Sequence, residues 1–187
     1  MDVLETRLAG PVLLEPRAFA DERGFFLESY RRSAFEELGI EPMVQDNHSR
    51  SRRGVVRGIH FQLVERGASK LVRCARGAIL DVVVDLRAGS PTFAAWEAFE
   101  LNDANLHQLY VPHGFGHAFC VLSDVADVLY KQSAYYDAAA EAEISYRDPD
   151  IAIAWPEGVD LMASPRDEAA PTLGELAGRL PFRWAAP

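Results

Sequence analysis

Two strand-like stretches carry polar groups for which an apolar strand has no structural use. Gly54-Val55-Val56-Arg57-Gly58-Ile59-His60-Phe61-Gln62 sets a cation and an imidazole inside an apolar run, and Lys70-Leu71-Val72-Arg73-Cys74 repeats the mixture. Desolvating an unpaired charge is expensive, so such groups need partners or a wet surface to face. An imidazole titrates near neutral pH and can take or give a proton there. Guanidinium and ammonium groups beside it suit a compact anion such as a phosphate ester. The chemistry on offer is proton transfer on an anionic ligand, with His60 carrying the proton. A lone histidine on an apolar strand is more often a silent, hydrogen-bonded one, and both readings stand at this point.

Geometry adds a question. On a regular strand Arg57 and His60 point to opposite faces, because side chains alternate. A bulge at Gly58 would turn both to one side. Further on, Tyr130 in Val128-Leu129-Tyr130-Lys131 shares a face with Val128 and Gln132, and by alternation alone is a half-buried aromatic. Asp167, in Ser164-Pro165-Arg166-Asp167, reads as an ordinary loop carboxylate.

Other chemistries find less support. A metal site needs three or four ligands, commonly with histidines as near neighbours on adjoining strands. His60 is followed by Phe61 and Gln62 with no carboxylate at ligand spacing. His113 and His117 are four apart, but Pro112, Gly114 and Gly116 make that stretch a loop. No metal is expected. Neither cysteine is set beside a histidine, and no strand-turn-helix serine elbow appears. No glycine-rich phosphate loop opens a helix.

The elements that must position these residues are short strands. Phe25–Tyr30, Met43–Ser49, Ile79–Leu86, Trp96–Leu101, His107–Val111, Ala118–Leu122 and Ala126–Gln132 read as extended, with Glu143–Tyr146 and Ile151–Trp155 as late strands. Asp81 and Asp85 break the Ile79–Leu86 run on one alternating face. Ser33-Ala34-Phe35-Glu36 has capping-box spacing and Gly39 sits at a C-cap, predicting a helix over 33–38. Thr172-Leu173-Gly174-Glu175 would open a C-terminal helix. Many short strands with few helices predict one all-β domain over residues 1–187, a sandwich or barrel.

Composition agrees with a globular chain of 187 residues, 49% hydrophobic and 25% charged. The formal net charge of -9 reads against nucleic-acid binding. Arg50, Arg52, Arg53 and Arg57, followed by Arg66, Lys70, Arg73 and Arg76, nevertheless form a basic island suited to an anion or simply to solvent. No apolar run is long enough to span a bilayer and no leader opens the chain. Cys74 and Cys120 read as buried free thiols, which predicts a cytoplasmic protein.

Taken in order, the motifs resemble one family. Val56-Arg57-Gly58-Ile59-His60-Phe61-Gln62, Lys70-Leu71-Val72-Arg73-Cys74 and Asp81-Val82-Val83-Val84-Asp85-Leu86-Arg87 are similar to dTDP-4-dehydrorhamnose 3,5-epimerases. So are Ser90-Pro91-Thr92-Phe93, Pro112-His113-Gly114-Phe115-Gly116-His117-Ala118-Phe119, Leu129-Tyr130-Lys131 and Ala134-Tyr135-Tyr136. The match begins at Asp21-Glu22-Arg23-Gly24-Phe25-Phe26 and reaches the Asp167 segment. The resemblance implies a cupin jelly-roll barrel with a few short peripheral helices, a homodimer, and neither metal nor other cofactor.

It also implies roles. The substrate would be a dTDP-linked 4-keto-6-deoxy sugar, epimerised at C3 and C5 through an enolate. His60 would be the general base, Asp167 its partner, Lys70 the enolate stabiliser and Tyr130 the acid on the opposite face. Arg23, Phe25, Glu28, Gln45 and Asn47 correspond to base- and phosphate-side contacts, and Arg57 to a diphosphate contact. His117, Tyr136 and Glu141 correspond to further pocket residues, with Tyr136 near the thymine. Arg166 stands where lysine is commoner in the family. Three alternatives remain: a 3-epimerase serving a secondary metabolite, a metal-dependent cupin oxygenase, and a non-catalytic nucleotide-sugar-binding barrel.

Overall fold

The computed structural model describes residues 1–64 and 67–185. In chain order its strands are β1 (Asp2–Leu4), β2 (Val12–Glu15), β3 (Ala18–Asp21), β4 (Gly24–Leu27), β5 (Gln45–Arg52), β6 (Val56–Gln62), β7 (Lys70–Arg76), β8 (Ala78–Asp85), β9 (Trp96–Asn102), β10 (Gln108–Val111), β11 (Phe115–Val121), β12 (Val125–Gln132) and β13 (Glu141–Glu143). Three short helices follow the same order: α1 (Arg32–Glu36), α2 (Pro165–Glu168) and α3 (Leu173–Leu176).

Strands β3 and β4 pair apart as a hairpin, and the other eleven form a jelly roll of two facing sheets. One has the order β1-β2-β10-β7-β12-β5 and the other β13-β6-β11-β8-β9, all pairs antiparallel. Inward side chains of both sheets interleave as one core. Leu13, Val72, Cys74, Leu109 and Val128 come from the larger sheet, and Ile79, Val83, Phe99, Phe115, Phe119 and Val121 from the smaller. Full burial of each such aliphatic contributes roughly 1.5–3 kcal/mol.

The back of the smaller sheet is covered as well. Ile59, Phe61, Val82, Val84 and Ala118 pack there against Ile144, Ile151, Leu173, Leu176, Leu180 and Phe182 of the C-terminal segment. Burial on both faces is why β8 and β11 read as nearly continuous apolar runs. Asp85, fully buried, accepts hydrogen bonds from Arg87 Nε at 2.8 Å, Ser90 Oγ at 2.6 Å and Thr92 Oγ1 at 2.7 Å. Arg87 is itself stacked between Phe115 and Trp184 at 4.3 and 4.4 Å. The Ser90-Pro91-Thr92 motif thus closes a structural ion pair at one end of the barrel.

Four local expectations need correction. Gly116 and His117, read as loop, lie in β11, which begins at Phe115 and is buried throughout. Helix α1 starts at Arg32, so Ser33 lies inside it and makes no cap; the N-cap is Arg31, without a side-chain hydrogen bond. Its end does follow the glycine signal: Gly39 has φ of 76°, and Ile40 N–H returns to Phe35 O at 3.0 Å. Residues 151–155 form no strand, because Asp148 caps the Ile151 N–H at 2.9 Å and Ala152 turns at φ of 51°. The late strand forms at Glu141–Glu143, a few residues before the expected 143–146. The C-terminal helix is present as α3, with Thr172 N–H donating to Glu175 Oε2 at 2.7 Å.

Candidate active site

The register of β6 against β11 answers the alternation question. His117 pairs with His60 and Phe119 with Arg57, so three steps on β6 meet two on β11, and the ladder is bulged between them. His117 and Phe119 share a face, and Arg57 and His60 therefore point together into the barrel. Gly58 makes this fit. Its φ is 123°, and a Cβ there would lie 2.5 Å from Ala118 Cβ and 2.6 Å from His117 O.

The remaining candidates on the two sheets fall on inward faces for the same reason of period. Glu143 pairs with His60 and Glu141 with Gln62. On the opposing sheet Lys70 pairs with Gln132, Val72 with Tyr130, Asn47 with Tyr130 and Gln45 with Gln132. His60 and Arg57 thus face Lys70, Tyr130, Gln45 and Asn47 across the barrel mouth. A cavity there is lined by His60, Gln62, Lys70, His117, Tyr136 and Glu141, and another by Arg57, His60, Ser164 and Asp167.

His60 Nε2 lies 2.5 Å from Asp167 Oδ1. Since a carboxylate only accepts, Nε2–H is the donor, and in the neutral ring Nδ1 carries the free lone pair. Asp167 is not a loop residue: it lies in the one-turn helix α2, nearly buried, with Ser164 as N-cap. Ser164 Oγ donates to Asp167 Oδ2 at 2.8 Å and accepts from Asp167 N–H at 3.1 Å. Burial works to raise the Asp167 carboxyl, but the bonds from His60 and Ser164 outweigh it and hold it below the ordinary range.

Lys70 is strongly perturbed. Burial lowers its ammonium to about 8, against the charges of Asp81 and Glu141, which favour protonation. Tyr130 is raised, first by burial and then by Glu141, with Arg57 opposing. It is therefore a protonated donor at neutral pH. His117 Nε2 donates to the fully buried Asp81 at 2.9 Å, and burial lowers its imidazole despite that partner. His60 and His117 are thus each tied to a carboxylate of their own. Among the described residues no group of three or more His, Cys, Asp or Glu side chains is arranged to hold a metal ion.

The rim is polar and interlocked. Gln45 Nε2 donates to Asn47 Oδ1 at 3.0 Å and to Gln132 Oε1 at 3.1 Å, while Gln45 Oε1 accepts the Tyr136 N–H at 2.9 Å. Tyr136 OH donates to Glu141 Oε2 at 2.7 Å, where Arg166 Nη1 also donates at 2.7 Å. Burial alone would raise Glu141, but these bonds from Arg166 and Tyr136 bring it below the usual carboxylate range. Arg166 reaches Glu143 as well.

Some expectations are not met within this chain. Arg23 and Phe25 sit on the β3–β4 hairpin, which pairs only with itself, and Glu28 follows it, bonded to Arg31 at 3.1 Å. None of the three lines a cavity that His60 lines. The basic island largely dissolves: Arg50 binds Asp127 at 2.7 Å on the outer face, Arg73 alternates outward, and Arg53 is exposed. Only Arg57 and Lys70 of that group face inward, and Arg66 lies outside the described residues. Asp81, Gln132 and Ser164 are polar groups of the site that sequence reasoning passed over. Alternation with Tyr130 marks Gln132 and an aspartate in an apolar strand marks Asp81, while Ser164 had only the Ser-Pro helix start as a signal.

A jelly-roll barrel whose mouth sets a histidine–aspartate pair against a tyrosine and a half-buried lysine defines a cupin-type proton-transfer enzyme. A sequence profile of dTDP-4-dehydrorhamnose 3,5-epimerase matches residues 5–175. The chain belongs to that family. The Escherichia coli dTDP-4-dehydrorhamnose 3,5-epimerase is 47% identical over 178 residues, covering 94% of this chain and 96% of that one. The Streptomyces niveus dTDP-4-dehydrorhamnose 3-epimerase is 47% identical over 172 residues, covering 90% and 83%. A Legionella pneumophila 3,5-epimerase solved with dTDP-4-keto-L-rhamnose superposes with a TM-score of 0.94 at 43% identity, covering 99% of both chains.

Proposed function

We propose that this chain epimerises a dTDP-linked 4-keto-6-deoxy sugar at C3 and C5, without a redox cofactor. Both carbons lie alpha to the ketone, so their protons become acidic once the enolate is stabilised. His60 takes the proton at Nδ1, and Asp167 holds the ring and stabilises the imidazolium. The Lys70 ammonium offsets the enolate charge in a partly desolvated barrel, where such a charge counts for more than in water. Tyr130, on the opposed sheet, returns a proton to the other face and so inverts the centre. The observation that carries this reading is the His60–Asp167 pair at 2.5 Å facing the opposite sheet's tyrosine and lysine.

Arg57 and the Gln45, Asn47 and His117 side chains offer donors for the diphosphate and sugar. Tyr136, Glu141 and Arg166 supply the rim where the base would lie. Arg23, Phe25 and Glu28 fit the same scheme if the hairpin serves a second copy. Phe19, Phe25 and Phe26 are 54, 58 and 72% exposed, and an apolar patch of this size on a projecting hairpin suits a partner subunit. A homodimer follows. No helix among the described residues is long and apolar enough to cross a membrane. The two unpaired buried thiols, Cys74 and Cys120, favour a cytoplasmic location.

The 3-epimerase reading is kept because a relative of that name is as similar as the 3,5-epimerases. Deuterium exchange into the dTDP-keto sugar, followed by NMR, separates the two. Label at both C3 and C5 is expected; label at C3 alone assigns the narrower activity. Tyr130→Phe should slow epimerisation while keeping part of the C3 exchange, since it loses the acid and not the base.

A further inference from the structure

We propose that Tyr146, through Glu168, is a positioning residue for the reaction, locking α2 so that the Asp167 carboxylate stays on His60. The inference rests on His60 and Asp167 being the base and its partner. These two residues are 107 positions apart and belong to different elements, β6 and α2. Helix α2 has only four residues. A single turn does not hold itself together, so its place must be set by what grips it.

Arg166 ties the helix to Glu141 and Glu143 of β13, and Tyr146 provides a second grip beside Asp167. Its hydroxyl donates to Glu168 Oε1 at 2.6 Å, one residue from Asp167. Glu168 Oε2 also accepts from Arg147 Nη1 at 2.6 Å, and the Arg147 guanidinium lies 4.6 Å over the Tyr146 ring. Tyr146 is 1% exposed, and its ring packs with Val56, Cys120, Trp155 and Leu161. Trp155 meets it edge-on and donates to the Tyr146 carbonyl at 2.8 Å. Val56 begins the strand that carries His60. One side chain therefore touches the back of the base's strand and bonds the helix of the base's partner. Tyr146 does not reach the substrate cavity, and no requirement of binding explains its hydroxyl.

The test uses the full-length chain. Tyr146→Phe keeps the packed ring and loses only the hydroxyl. We expect kcat to fall about tenfold, on the scale of a displaced catalytic group, with the dTDP dissociation constant within about twofold of the parent. Glu168→Ala should fall equally and Glu168→Gln, which keeps an acceptor, should fall less. On an Asp167→Asn background Tyr146→Phe should cost nothing more, because it acts through the carboxylate already removed. Unchanged kcat in both Tyr146→Phe and Glu168→Ala, a parallel loss of dTDP binding, or multiplicative losses with Asp167→Asn would each overturn the proposal. Should Tyr146→Phe not fold, the exposed Glu168 supplies the same readout. Full turnover in His60→Ala would instead remove the base assignment itself.

Discussion

At the scale of single residues, the site gives each of its two histidines and Glu141 partners of their own. His60 has Asp167, His117 has Asp81, and Glu141 has Arg166 and Tyr136. Among the described residues the Lys70 ammonium hydrogen-bonds no carboxylate, and burial brings it down to about 8. An ammonium with a proton that loosely held suits a group that must answer a transient negative charge. Its sign is definite: the charged form prevails below pH 8 and falls away as pH rises through it. The Lys70-dependent part of kcat/KM should therefore decline above about pH 8, and Lys70→Arg should show no such limb relative to its own plateau. His60→Ala should lose at least ~10²-fold in turnover, as expected for a missing general base, yet bind dTDP by calorimetry. Loss of nucleotide binding in that variant would make His60 structural.

At the scale of elements, two short irregularities bring the residues together. The bulge in β6 re-aims Arg57 and His60 onto one face, and the one-turn helix α2 delivers Asp167 to the same place. Gly58 is the hinge of the first. Alanine there would meet Ala118 and His117 backbone at 2.5–2.7 Å while holding φ of 123°. Strain of ~1–3 kcal/mol and overpacking of similar size should add. We expect Gly58→Ala to lower the melting temperature sharply and to abolish exchange of substrate protons with solvent. A variant that melts with the parent and turns over normally would show that the bulge is not needed.

At the scale of the whole molecule, the hairpin β3–β4 is the part that a lone chain leaves unused. It carries Arg23 and Phe25, has no strand partner outside itself among the described residues, and exposes three phenylalanines. If it completes the pocket of a second copy, His60→Ala and Arg23→Ala/Phe25→Ala subunits should complement each other. A mixed dimer would then hold one site with both defects and one intact site. Activity should reappear on mixing the two inactive proteins, with sedimentation showing a dimer. Two inactive proteins that stay inactive after subunit exchange would place the hairpin's contacts within one chain.

What the sequence determined by itself was whatever depends on period and on residue type. Alternation gave the strands at Trp96, His107 and Ala126 within a residue, missed the first three residues of β11, and set Tyr130 beside Gln132 on one face. The misplaced cation and imidazole of Val56–Gln62, read with Lys70 and the later motifs, pointed to the family and to proton chemistry. Which charges face inward depends on how the strands pair in the closed barrel. Arg50 and Arg73 resemble Arg57 in the chain, and the side of the sheet that separates them follows from pairing register and a one-residue bulge. The tertiary structure alone made Asp167 a buried helical partner, since a contact across 107 residues leaves no local periodic signal. It likewise turned residues 151–155 from a strand into a cover for the sheet, because apolar side chains satisfy a packed face without extended backbone. Periodicity reports the local demand for burial; the far partner that meets it is chosen only when the whole chain closes on itself.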